Sequence, residues 1–301
     1  MFSSHVNPEG DAIGAILALG LALEGMAKEA VVLNQDPIPE MLNFLPGAER
    51  IIHQAPETGV DIVFALDCGD RERLGEEFAK VKRVGKIINI DHHVSNNFFG
   101  DINYVDPQAS SASEIIYELL QAIPMKMTVA IAENIYTGIL TDTGSFHYSN
   151  TSPQTFSVAR ACLLAGVDPW KVADKVYETQ PLARLRLLSQ VLQTLTVEEE
   201  GRVSYVVVTQ AMLEKAGAAA AHTEDMVNFP RSLENAEVAI LFRELSPEKY
   251  RVSLRSRGKA DVTQVAQAFQ GGGHRSASGC TVAGNFAEVK AKVLERVRAS
   301  L

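Results

Sequence analysis

Residues 89–96 read NIDHHVSN, directly after the apolar start of the run Lys86-Ile87-Ile88-Asn89-Ile90. A short β-branched run that ends in polar residues reads as a buried parallel strand whose C-terminal end opens onto a loop. In an open α/β sheet that end is where ligands bind. Asp91, His92 and His93 therefore put three metal-capable groups at one sheet edge.

Outward from this stretch the first part of the chain alternates strands and helices. Residues 30–33 and 61–66 (DIVFAL) read as strands, helical periodicity covers residues 12–26, and a charged helix is predicted over 71–84. Such alternation argues for a parallel sheet with helices on its faces. Residues 113–195 are mainly helical in pattern, with breaks at Pro124, 142–153, Asp168-Pro169 and Pro181, and the polar stretch 196–202 (TVEEEGR) reads as a linker. Beyond it, 203–208, 237–243 and 250–256 read as strands, helices are predicted over 261–269 and 286–299, and a glycine run lies between them. The expected division is a first domain over 1–190, a linker over 191–202 and a smaller second domain over 203–301.

With 301 residues, 46% of them hydrophobic and 22% charged, the chain has apolar material for two cores of ordinary size. No apolar stretch approaches the ~18 residues that cross a bilayer, and the start MFSSH lacks a charged signal-peptide region. The expectation is a cytoplasmic protein with no membrane partner. Cys68, Cys162 and Cys280 are odd in number and far apart, which suits reduced, packed thiols better than a disulfide framework or a zinc ribbon. Residues 1–200 hold 14 basic against 27 acidic groups, and residues 201–301 hold 14 against 10. An acidic first part that holds cations and a mildly basic second part that receives phosphates would produce this asymmetry; so would ordinary surface variation.

Four polar clusters sit at the ends of these elements. The first, SHVNPEGDAIG (4–14), places His5, Glu9 and Asp11 at the mouth of a helix that Asp11 is expected to cap. The second is Asp67 in LDCGD (66–70), where Asp70 is the better candidate to cap the following helix and Asp67 is left for other work. The third is Asp91-His92-His93, and the fourth is Asp142 in TDTG (141–144). Each has a plain reading as a cap, a dipole contact or a surface histidine. Together, imidazole and carboxylate suit Mn²⁺, Zn²⁺ or Fe²⁺ better than Mg²⁺ or Ca²⁺, and gathered carboxylates repel one another unless cations hold them. In the second part, Gly271-Gly272-Gly273 permits close backbone approach to a phosphate, with His274 and Arg275 beside it. Arg255 on a strand and Ser111 in SSAS (110–113), opening a helix, are further substrate-binding candidates, Ser111 equally an N-cap.

The series SHVNPEGDAIG, LDCGD, the Asp-His-His triplet and TDTG, followed by GGGHRSASG, resembles the DHH phosphoesterases with a DHHA1 domain, and most the stand-alone nanoRNase A type. The likeness runs from Ser4 to the C-terminal helix. It implies an α/β fold with a parallel-sheet DHH domain, a smaller α/β DHHA1 domain and an active site in the cleft between them. It implies a manganese-dependent hydrolase of phosphoester bonds carrying two Mn²⁺, other divalent cations being compatible. His5, Glu9 and Asp67 would hold one ion; Asp11, Asp67, His92 and Asp142 would hold the second. Asp91 would orient His92, and His93 would face the scissile phosphate, making Asp91 and His93 the catalytic pair around a water activated by the two metals.

The implied substrates are short single-stranded RNA or DNA oligonucleotides, pAp or dinucleotides, and a homodimer is compatible with the family. Alternatives are a cyclic or linear dinucleotide phosphodiesterase and, from another class, a nucleotide-binding regulator that no longer hydrolyses. Long duplexes fit poorly with a net charge of −9 and no aromatic stacking series. Two features depart from the family pattern. Glu9 stands where an aspartate is usual, and only Met1 to Ser4 precede His5 where relatives carry a helix and a full first strand, which reads as a start assigned late or a trimmed edge.

Overall fold

The strand ending at Asp91 lies inside an all-parallel sheet, as its apolar run requires. In the computed structural model, which describes residues 1–123, 125–258 and 260–301, the chain divides into two units, Met1–Thr179 and Gln180–Leu301. Pro124, where the sequence predicts a helix break, and Lys259 lie outside the described residues.

The first unit contains strands β1 (Phe2–Ser3), β2 (Val32–Leu33), β3 (Val60–Leu66), β4 (Val84–Asp91) and β5 (Ile102–Val105), in the order β2-β1-β3-β4-β5 with every neighbouring pair parallel. Its helices are α1 (Gly10–Gly25), α2 (Gly75–Ala79), α3 (Ala112–Gln121), α4 (Val129–Asp142), α5 (Pro153–Ala165) and α6 (Pro169–Ala173). The charged helix predicted over 71–84 is only a 3-10 turn, Arg71–Leu74, followed by α2; Gly75, at φ 88°, breaks the run. The edge strand β5 is not among the predicted strands, because four residues alternating apolar and polar give little signal.

Helix α1 is apolar nearly all round and is buried from Gly10 to Gly20, the behaviour expected of a helix without a polar face. It lies against α4 closely enough that a Cβ added at Gly14 would stand 2.5 Å from the carbonyl oxygen of Asn134. The two helices thus nearly touch backbone to backbone, and this contact brings the start of α1 beside the end of α4.

The second unit contains α7 (Leu182–Leu192), β6 (Thr196–Glu198), β7 (Val203–Val208), α8 (Gln210–Ala216), α9 (Asn228–Arg231), β8 (Val238–Ser246), β9 (Lys249–Ser256), α10 (Val262–Gln267), β10 (Gly272–His274), β11 (Ala277–Ala283) and α11 (Phe286–Arg298). Its sheet runs β10-β11-β9-β8-β7-β6, with β7 and β8 parallel and the other pairs antiparallel. One face packs Ile240, Phe242, Val252 and Leu254 under Val265 of α10 and Val289 and Val293 of α11. The other packs Val206, Val208, Ala239 and Leu241 against Leu187 and Val191 of α7 and Leu213 of α8. That packing moves α7 out of the first domain predicted over 1–190. The linker predicted over 191–202 contains an edge strand, since 196–198 pair with β7.

The three cysteines are free and buried, and burial pushes the Cys68 and Cys162 thiols up to about 12. Among the described residues no helix is long and apolar enough to cross a membrane.

Candidate metal centre

Parallel pairing delivers the chain ends after β1, β3 and β4 to one edge, so His5, Asp67 and the Asp91-His92-His93 turn meet although they are far apart in sequence. Asp67 leaves β3 with φ 51°, a left-handed conformation that aspartate tolerates better than most residues. Its N–H donates to the Ile90 carbonyl at 3.0 Å, tying the ends of β3 and β4 together.

His5 is 3% exposed, and its Nδ1 meets the Val6 carbonyl at 2.8 Å. A carbonyl only accepts, so Nδ1 carries a proton, and Nε2 faces Asp67 Oδ2 at 3.5 Å. Ligand atoms of His5, Glu9 and Asp67 lie within 4.8 Å of one another, and so do those of Asp67, His92 and His93. His92 Nε2 is surrounded by three carboxylates, at 3.5 Å from Asp67 Oδ1, 3.8 Å from Asp142 Oδ2 and 3.9 Å from Asp11 Oδ2. Asp67 Oδ1 is buried and makes no hydrogen bond among the described residues, with His92 Nε2 and His93 Nδ1 each 3.5 Å away. A buried carboxylate oxygen without a donor is costly, and the nitrogen and oxygen donors converging around it fit divalent cations.

The charges respond to this crowding. Burial opposes ionisation of Asp67, but His5 and His92 outweigh it and hold its carboxyl below the ordinary carboxylate range. Burial, then the Asp67 charge, pushes Asp11 up to about 6, and burial, then Asp11, pushes Asp142 up to about 8. His92 resists burial and rises to about 10, chiefly through Asp67 and then Asp11. Although much of the Glu9 side chain is exposed, burial of its carboxyl and the Asp67 charge raise it as well.

Two expectations are corrected at this edge. Glu9, not Asp11, occupies the N-cap of α1 and makes no side-chain cap bond. Asp11 lies inside the first turn and caps a different helix, accepting from the N–H groups of Ala112 at 2.6 Å and Ser113 at 2.9 Å at the start of α3. That helix start is thereby filled by a protein carboxylate, and Ser111, fully buried, is spent as the N-cap accepting from Glu114 N at 3.1 Å. The Ser111 hydroxyl is therefore committed to the cap.

Asp91 also differs from expectation. Its Oδ1 accepts from His93 Nδ1 at 2.7 Å and from the backbone N–H of His92 at 2.8 Å, so the ring it orients is that of His93. This bond is the largest influence raising the His93 pKa. Asp91 Oδ2 accepts from Asn96 Nδ2 at 2.6 Å, and the same amide donates to Asn89 Oδ1 at 2.8 Å. Asn89 in turn donates to the carbonyls of Ala65 and Cys68 on the neighbouring chain segment.

The two asparagines that open and close NIDHHVSN thus lock the turn on which His93 stands, and neither is among the sequence-predicted site residues. Their signal was two amide side chains flanking three ligand-type residues. Asn150 is a further unpredicted neighbour, donating to Asp142 Oδ2 at 3.2 Å and to the Ser110 carbonyl at 2.9 Å. Asn96→Ala is expected to lower kcat about tenfold or more, the range for supporting residues around a metal site, while changing Mn²⁺ affinity much less. Steady-state kinetics beside calorimetry of Mn²⁺ binding checks this; equal losses in both would show that Asn96 does not act through His93.

In the second unit the glycine run is a β-hairpin rather than a loose turn. Gly272 pairs with Gly279, Gly273 with Ser278 and His274 with Ala277. Gly273 has φ 143°, and a Cβ there would lie 2.4 Å from the Ala277 carbonyl, so its glycine is needed by the hairpin itself. Gly272, His274 and Arg275 are exposed, and Arg255 faces Ala277 across β9 and β11.

An α/β sheet edge carrying carboxylates and imidazoles around an undonated buried oxygen defines a candidate metallohydrolase centre. The chain belongs to the DHH family: residues 1–139 match the DHH family, N-terminal domain, and residues 202–301 match the DHHA1 domain. It is 36% identical to the bifunctional oligoribonuclease and PAP phosphatase NrnA of Thermus thermophilus, over 99% of this chain and 89% of that one. The protein of the same name from Bacillus subtilis is 29% identical over 92% of this chain and 87% of that one. The crystal structure of an exopolyphosphatase-related protein from Bacteroides fragilis matches with a TM-score of 0.91 and 31% identity, covering 98% of this chain and 90% of that one.

Proposed function

We propose that the chain is a manganese-dependent phosphoesterase that hydrolyses short oligonucleotides to mononucleotides and removes the 3′-phosphate of pAp. The observation that carries this reading is the set of three carboxylates around one nitrogen of His92, beside the undonated Asp67 Oδ1. The names of the relatives in Thermus thermophilus and Bacillus subtilis support the substrate class.

In this reading His5, Glu9 and Asp67 hold one cation, and Asp11, Asp67, His92 and Asp142 hold the second. When bound, such a pair supplies Lewis-acid stabilisation of the phosphoryl oxygens and lowers the pKa of a water. Asp67 bridges the two ligand sets. His93 donates its Nδ1 proton to Asp91, which leaves Nε2, across the ring, as the atom assigned to the phosphate or the leaving oxygen. Arg255, Gly271, Gly272, Gly273, His274 and Arg275 are assigned to binding a substrate phosphate on the second unit.

A Mn²⁺-supplemented assay offering pAp, di- to pentanucleotides, cyclic dinucleotides and pyrophosphate in parallel tests the proposal. Turnover of pAp and the short oligonucleotides is the expected result; tight binding of a nucleotide with no turnover would replace it with a sensor.

Metal binding is also expected to release protons. Asp142, raised to about 8, and His92, raised to about 10, both carry a proton at pH 7 before a cation displaces it. Ligands must bind deprotonated, so Mn²⁺ affinity rises with pH through this window and falls below it. Calorimetry of Mn²⁺ binding in buffers of different ionisation enthalpy is expected to show release of about one to two protons at pH 7. A heat independent of the buffer would contradict the assignment of His92 and Asp142 as ligands.

A further inference from the structure

Strand β9 turns Tyr250, Val252 and Leu254 into the core of the second unit, which places Arg251, Ser253 and Arg255 on the opposite face. On that face Arg243 of β8 stands directly opposite Arg251, while Gly279 and Thr281 of β11 stand opposite Ser253 and Arg251. Helices cover the β7–β8 part of the face, and α9 also reaches β9. Like charges directly opposed on adjacent strands are destabilising. Arg202 pairs with Glu237 and Arg298 with Glu199, but Arg243 and Arg251 pair with no carboxylate among the described residues. Burial, and then the Arg251 charge, lowers the Arg243 pKa, with Glu224 acting against them.

The Arg251 side chain does not stand away from the sheet. A Cβ added at Gly279 would lie 3.2 Å from its Nη2 and 3.5 Å from its Cζ, so the guanidinium rests on the bare backbone of Gly279. Gly279 pairs with Gly272, where an added Cβ would meet nothing within 4 Å. A planar donor group therefore lies on a glycine floor next to open space, with a second guanidinium behind it, and among the described residues neither guanidinium forms an ion pair with a carboxylate.

We propose that Arg251, backed by Arg243, forms an anion subsite on this face of the second unit, and that its ligand is a phosphate group of a nucleotide. Arg251 and Arg255 are four residues apart on one strand, about 13 Å between Cα atoms, which leaves room for two separate phosphates of one short substrate. Guanidinium is the group suited to bidentate recognition of phosphate. The proposal rests on the phosphoesterase reading for the identity of the ligand.

The test uses the full chain with Mn²⁺ and compares a diadenylate bearing a 5′-phosphate, pApA, with unphosphorylated ApA. Arg251→Gln is expected to lower the ratio of kcat/KM for pApA over ApA about tenfold, the worth of a charge-assisted hydrogen bond. Gly279→Ala, which lifts the guanidinium from its floor without removing it, is expected to lower the same ratio by less. Calorimetry of pAp binding in EDTA supplies a readout independent of turnover, with weaker binding expected in Arg251→Gln. An unchanged ratio together with unchanged pAp affinity would overturn the subsite. Should the native chain hydrolyse none of these compounds yet bind pAp in an Arg251-dependent manner, the phosphoesterase reading would fall and the subsite would stand.

Discussion

Asp67→Asn is expected to abolish nearly all metal-dependent hydrolysis, lowering kcat/KM on the order of 10³-fold. Asp67 is 1% exposed and is the one residue common to both groups of converging ligands. The amide has nearly the shape of the carboxylate, so packing is kept while the shared negative charge is lost. Metal-borne charge stabilisation is worth several kcal/mol, and roughly 4 kcal/mol at 1.36 kcal/mol per decade gives that factor.

A second measurement separates loss of the centre from loss of the fold. His92 is held up at about 10 chiefly by Asp67, so in EDTA its imidazole is expected to titrate at lower pH in the variant, read by NMR of the ring protons. Retained activity near the native level would remove Asp67 from the centre, and with it the two-cation reading.

Much of this edge was legible because strand ends are readable. An apolar run closed by Asp91-His92-His93, a second closed by Asp67 and a glycine-broken helix end at Asp142 each announce where the chain leaves its element, and parallel pairing supplies their convergence. What the sequence does not announce is which neighbour each side chain reaches. Asp91 orients His93 rather than His92 because the turn after β4 folds back, with Asn96 N donating to His93 O at 3.1 Å, and carries the Asn96 amide onto Asp91. Asp11 caps a helix that begins about a hundred residues later, a contact with no local signature. The Ser111 position was readable in two ways, as phosphate contact or as cap, and burial decides for the cap. The boundary near residue 180 was hidden for a similar reason, since α7 shows an apolar face but not which core it belongs to.

The contact between α1 and α4 joins fold to function, and Gly14→Ala is expected to damage both. A methyl at Gly14 would stand 2.5 Å from the Asn134 carbonyl and 3.3 Å from Gly138 N, both backbone atoms that cannot rotate away. Helix propensity alone would favour alanine by about 1 kcal/mol, but overpacking of this kind costs about 1–3 kcal/mol, and a clash with backbone lies at the upper end. A net loss of about 2 kcal/mol corresponds to a fall in Tm of about 4–8 °C for a unit of this size. The helices can relieve the clash only by separating, which draws Asp11 at the start of α1 away from Asp142 at the end of α4. A displacement of about 1 Å at a reacting centre costs on the order of 10²-fold in rate, so activity is expected to fall even at temperatures where the variant is folded. Gly20→Ala on the same helix is the control. There the nearest atoms to an added Cβ are side-chain carbons of Val32 and Phe2 at 3.5 and 3.7 Å, so propensity prevails and stability is expected to rise by about 0.5–1 kcal/mol. Equal melting temperatures for the two variants would show that the backbone contact at Gly14 does not set the spacing of the metal-site helices.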